Sequence, residues 1–172
     1  LLGYTSSLAQ GGADAKGERV EATMTAPWEM LVVSADLEDR LALTRILEAQ
    51  NLEPISCSTL HEALEALGKE TVGLIFCDKQ LADGTYRDLL SAARGMGSKV
   101  PIVITSRHAD WDEYLEAMRL GAFDVIAVPC RPTDVEWMVI QAKRDERSRS
   151  RHVAAAEHGP STYREAAAGS AS

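Results

Sequence analysis

The sequence predicts an α/β fold: a doubly wound, five-stranded parallel sheet with helices on both faces. Three observations predict it. Five short apolar runs alternate with five amphipathic helical patterns, an order that right-handed crossovers turn into a parallel sheet. The central run, Val72-Gly73-Leu74-Ile75-Phe76-Cys77, is apolar without interruption. A strand buried on both faces reads this way, although a short buried helix has the same composition. The run ends on Asp78, a carboxylate at the carboxyl edge, where ligand chemistry sits in open α/β sheets.

Taken in order, the first strand is Met30 to Val33, surfacing at Ser34-Ala35-Asp36. A helix over Glu38 to Gln50 places Leu43, Ile46 and Leu47 on one face, with Asn51 as a left-handed stop. EPISCS forms a short second strand. Thr59 and Glu62 have the spacing of a capping box. They open a helix with Leu60, Ala63, Leu64 and Leu67 along one stripe, ended by Gly68. The central strand is third, and the Asp83-Gly84 turn leads to a helix from about Tyr86 to Arg94. Pro101 to Thr105 is the fourth strand, surfacing at Ser106-Arg107. Asp110 caps a helix carrying Trp111, Tyr114, Leu115 and Met118 on one face. Phe123 to Val128 is the fifth strand, closed by Pro129. Pro132 starts the last helix, with Val135, Met138, Val139 and Ala142 facing inward.

With 172 residues the chain has room for one ordinary domain and flanking segments. Residues 1–27, rich in small and polar types, read as a flexible amino-terminal segment. The ordered domain is expected over 28–145 and a flexible tail over 146–172, into which the last helix has room to extend. The sequence begins at Leu1, and Met24 and Met30 are candidate initiators. A net charge of −8 argues against nucleic-acid or anionic-membrane partners. No apolar run approaches the roughly 20 residues of a membrane span. The amino end lacks a signal-peptide pattern, so the expected location is cytoplasmic. Cys57, Cys77 and Cys130 show no metal-like spacing, and Cys57 and Cys77 read as reduced packing residues.

Four segments give this frame a family. LVVSADLEDR is similar to the LVVDDDPxxR of two-component response-regulator receiver domains. LIFCDKQLADGTYRDLL resembles their phosphoacceptor segment, PIVITSR their P-x-x-x-x-[TS]-[AG], and GAFDVIAVPC their GAFDYLxKPF. The four occur in order between about Trp28 and Asp145. The resemblance implies a flavodoxin/CheY-like sheet of strand order 2-1-3-4-5. It implies that Asp78 accepts a phosphoryl group from a histidine kinase, with Ser106 as the switch hydroxyl. An anionic nucleophile attacking an anionic phosphoryl group needs positive charge at the site, which magnesium supplies in the family. The cis proline bond common in receivers is expected at Val128–Pro129.

This sequence departs from the pattern where the charge is supplied. The acidic pair that holds magnesium falls on Ser34 and Ala35, the lysine on Val128, and the aromatic switch residue on Val125. Asp78 and Asp36, with the Gln80 carbonyl, are the remaining metal ligands, and they make a weak site or none. Asp36 has the competing role of a helix-start acid. Arg107, where the family has a small residue, either covers Asp78 as a substitute cation or extends into solvent. His108 beside it reads as a surface histidine.

The last helix carries a second apolar pair, Trp137 and Ile140, nearly opposite its core face. An exposed pair of this kind suggests a contact site, with a tail folding over it as the competing reading. The resemblance implies a surface for a partner or a homodimer there. The leading expectation is therefore a stand-alone, atypical receiver that signals through protein–protein contacts. It is not an enzyme, beyond autophosphorylation and autodephosphorylation at Asp78 at most. The alternative is a working phosphoacceptor, served by a histidine kinase, with Asp36 and Arg107 as substitutes. A small α/β enzyme or nucleotide-binding protein is the third reading, and the sequence has no GxGxxG, P-loop or GxSxG for it.

Overall fold

The computed structural model describes residues 28–69, 71–107 and 110–157. Its elements alternate strictly. The strands are β1 (Glu29–Val33), β2 (Pro54–Cys57), β3 (Val72–Asp78), β4 (Ile102–Ser106) and β5 (Asp124–Ala127). Each is followed by its helix: α1 (Leu37–Glu48), α2 (Leu60–Leu67), α3 (Tyr86–Gly95), α4 (Trp111–Leu120) and α5 (Pro132–Glu157). All neighbouring strands pair in parallel, in the order β2-β1-β3-β4-β5. That is the expected order, and it makes β3 the middle strand.

The pleat divides the core in two. Leu31, Val33, Ile75 and Cys77 point to the side covered by α2, α3 and α4, with Leu89, Ala93 and Ala117 among their neighbours. Met30, Val32, Leu74 and Phe76 point to the other side, against Leu43 and Leu47 of α1 and Val135, Met138 and Val139 of α5. Successive residues of one strand thus serve opposite layers, which is why the central runs are apolar throughout.

Local signals end the helices where expected. Thr59 and Glu62 form the reciprocal capping box of α2, and the Asp110 carboxylate accepts from the Glu113 amide at the start of α4. Asn51 takes a left-handed φ of 59° and Gly121 one of 99°. The Val128–Pro129 bond is cis, as expected. Cys57 and Cys77 are buried free thiols. One feature differs from the sequence reading: Trp111 is 70% exposed and stacks on Tyr114 instead of joining the core. The last helix, α5, uses the room left for it beyond Asp145 and runs on to Glu157. Arg149 on that extension donates to the Lys99 carbonyl ahead of β4. No described helix is long and apolar enough to cross a membrane. The segment 1–27, His108 and the end of the tail from residue 158 lie outside the described residues.

Candidate functional site

The carboxyl ends of β1, β3 and β4 bring Ser34, Asp78 and Ser106 to one edge. The strand register aligns Val33 with Cys77, and Asp78 with Thr105. Ser34 and Ser106 are buried, at 4% and 2% exposure, and Asp78 is half-buried at the mouth of the edge. One Asp78 oxygen accepts from its neighbour's amide, Lys79 N–H, at 2.7 Å. The other accepts from the Ser34 hydroxyl at 3.1 Å. Burial pushes the Asp78 carboxyl above its ordinary range, and these two hydrogen bonds pull it back only in part. The Asp39 carboxylate adds to the upward push, while Arg107 works against it.

The raised pKa has a consequence for stability. The charged carboxylate is disfavoured in the folded protein relative to the unfolded chain, so it weakens the fold at pH above the folded pKa. That cost is lifted as pH falls through this value and Asp78 takes up its proton. Asp78→Asn is expected to raise Tm at pH 7 by roughly 1 to 4 °C, with the gain shrinking on acidification. Calorimetry of both proteins between pH 7 and pH 4 is the check, and a lower Tm for the variant at pH 7 would contradict it.

The remaining charges are arranged in two closed groups. Asp36 is the N-cap of α1: one oxygen accepts from the amides of Glu38 and Asp39, at 2.8 and 3.2 Å. Its other oxygen accepts from the Arg107 guanidinium at 2.8 Å, and the same nitrogen reaches Asp39. Arg107 holds the Asp36 carboxyl below the usual carboxylate range. On the other side of Asp78, Lys79 forms a 2.8 Å ion pair with Glu113 of α4. The Ser106 hydroxyl lies 3.5 Å from both oxygens of Glu113. Asp36, Asp78, Lys79, Gln80, Ser106 and Arg107 line a cleft of about 220 Å³. The lysine position is apolar: Val128 lines a cavity of about 30 Å³ with Ser34, Asp39, Pro129 and Cys130.

Of the two readings of Arg107, neither holds as stated. The guanidinium pairs not with Asp78 but with the α1 cap Asp36 and with Asp39 of its first turn, and its side chain stays 55% exposed. The Asp36 reading resolves toward the helix-start acid. Sequence reasoning missed Asp39, Lys79 and Glu113. Asp39 and Glu113 carried only the signal of acids in a first helical turn, and Lys79 only its adjacency to Asp78.

A magnesium ion fits this donor set poorly. Both oxygens of Asp36 are engaged, one by helix amides and one by a cation. That leaves the Asp78 carboxylate, one of whose oxygens already accepts from the Ser34 hydroxyl, at the low end of the one or two carboxylates and ordered waters by which magnesium is usually held. Among the described residues, no three acidic, histidine or cysteine side chains form a metal-binding group.

The far side of α5 is separate from this edge. Trp137 and Ile140 are 51% and 38% exposed, while Val135, Met138, Val139 and Ala142 are buried. Trp137 borders a groove of about 380 Å³ with Phe123, Asp124, Gln141 and Arg144.

Comparison with known proteins places the chain. A family model described as the response regulator receiver domain matches residues 30–140. The regulatory protein LuxO of Vibrio cholerae is 39% identical over 86 residues, which are 50% of this chain and 19% of that protein. The chain thus spans about a fifth of the length of the LuxO proteins it matches. The crystal structure of the signal receiver domain of a putative LuxO repressor protein from Vibrio parahaemolyticus superposes with a TM-score of 0.63. It is 17% identical and covers 69% of this chain and 94% of that one. The solution structure of the beryllofluoride-activated NtrC4 receiver domain dimer gives 0.63 at 20% identity, covering 68% and 97%. With its strand order, its Asp78-centred edge and a family match over more than half its length, the chain belongs to the response regulator receiver domain family.

Proposed function

We propose that this receiver signals through a protein–protein contact set by its resting fold, without requiring phosphorylation of Asp78. The supporting observation is the state of the two cations beside Asp78: Lys79 is paired with Glu113, and Arg107 with Asp36 and Asp39. Neither is poised to neutralise an incoming phosphoryl group, and Val128 brings no charge. Phosphoryl transfer draws most of its acceleration from such neutralisation. Without it Asp78 is a poor acceptor, and the domain has no enzymatic role of its own. Val125, half-buried against the α3–α4 side of the core, also lacks the bulk to report a modified site by swinging.

The contact surface in this reading is the Trp137 and Ile140 side of α5, toward a signalling protein or a second copy. The NtrC4 receiver is a dimer in its activated form, and that pairing is a precedent for this shape only. The second reading, a phosphoacceptor served by a histidine kinase, is favoured by the open cleft over Asp78 and the retained Ser106. A population shift requires a ligand that distinguishes two states, so the readings separate cleanly. Self-association and partner affinity of Asp78→Asn are expected to match the parent within about twofold, since interface energy concentrates in a few contact residues. Acetyl phosphate with magnesium is expected to change neither. Loss of association in Asp78→Asn, or a gain on acetyl phosphate, would establish the phosphorylated switch instead.

A further inference from the structure

We propose that Arg107 is the resident cation of this site, taking the place of a divalent metal and pinning the end of β4 to the first turn of α1. The disagreement between the family's metal and this donor set leads to it. Asp36, which shares the cleft with Asp78, caps α1, Asp39 sits on the first turn of that helix, and one Arg107 nitrogen bridges both. Asp36 simultaneously fastens that turn through the amides of Glu38 and Asp39. A second arginine joins from the same helix: Arg40 donates to the Ser34 carbonyl, at the end of β1. Thus α1, the end of β1 and the end of β4 are tied by side chains over sequence separations of 71 and 68 residues for the Arg107 bonds.

The chemistry differs from that of an ion in two ways. A guanidinium is charged at every physiological pH and holds carboxylates through directed N–H bonds. Magnesium must shed tightly held water and exchanges with solution. A covalently attached cation is therefore always present, and its carboxylates are unavailable to a soluble one. The inference deepens the proposed function, since a fixed edge is what a phosphate-independent module requires. Its test uses neither partner nor phosphate, so the two ideas fail separately.

The experiment is amide NMR on the full chain for the parent, Arg107→Ala and Arg107→Lys. Each is titrated with magnesium chloride to about 10 mM against a sodium chloride control of matched ionic strength, since exposed ion pairs are salt-sensitive. Arg107 is 55% exposed by its side chain, so the variants are expected to fold, and matching far-UV spectra establish that. The parent is expected to show no magnesium-specific shifts at Asp36, Asp39 and Asp78. Arg107→Ala is expected to show saturable ones, with Arg107→Lys in between. Without metal, exchange of the Glu38 and Asp39 amides is expected to quicken at least fivefold in Arg107→Ala. The proposal is overturned if parent and Arg107→Ala respond alike to magnesium, whether both shift or neither does. Unchanged exchange at Glu38 and Asp39 would overturn the pin.

Discussion

Trp137→Ala is expected to weaken association of this domain by about 2 kcal/mol or more, roughly 30-fold, if α5 is its contact surface. The ring is half-exposed beside the groove formed with Phe123, Asp124, Gln141 and Arg144. A large aromatic side chain next to a polar-rimmed hollow is the kind of residue that dominates interface energy, because it removes much apolar area from water on docking. The same exposure means that truncation leaves the core untouched, with a stability change within about 0.5 kcal/mol. Sedimentation at several concentrations, run beside Ile140→Ala and the parent, measures the first quantity. Chemical denaturation measures the second. Unaltered association with unaltered stability would remove α5 from the interface.

Gly73→Val is expected to destabilise the fold by about 1–3 kcal/mol, the usual cost of overpacking a filled site. A Cβ added at Gly73 would lie 1.9 Å from Trp28 Nε1 and 2.2 Å from Cδ1. The indole therefore lies directly across β3 where a side chain would stand. Lys143 of α5 covers it, with Nζ 4.8 Å from the ring centroid. The indole N–H finds no acceptor among the described residues, so packing and the cation hold the ring. Displacing it exposes Trp28 and loosens α5 at once. Trp111 and Trp137 are already exposed, so a red shift in tryptophan emission would report Trp28 in particular. Wild-type stability with an unshifted spectrum would disprove the stacking.

The strand order and both core layers were legible because each strand is an apolar run with no competing helical period. The caps at Thr59, Asn51 and Asp110 were legible because they act within a few residues of themselves. Asp78, Ser34 and Ser106 followed from where those runs surface. The charge pairs were not legible. Arg107 finds its acids some 70 positions away, and nothing local tells a flexible arginine which carboxylate it will meet. Glu113 offered only the signal of an acid in a first helical turn, although its carboxylate turns toward Lys79. The glycine inside β3 was a signal left unused, since such a residue often marks the close approach of another group. The reach of α5 was left open because its outer half is charged and carries no core pattern.

That reach makes the helix a lever. Among the residues whose burial is described, Ala142 is its last buried one, and the helix continues to Glu157, so at the usual rise per residue about 22 Å of helix follows it. A tilt of about 10° at the seat under Val139 and Ala142 would carry the far end roughly 4 Å, given that length. Arg149, braced on the Lys99 carbonyl just before β4, is the strut that resists such a swing. Small repacking beneath α5 is thereby magnified at its tip, and the stiffness of one arginine contact sets by how much.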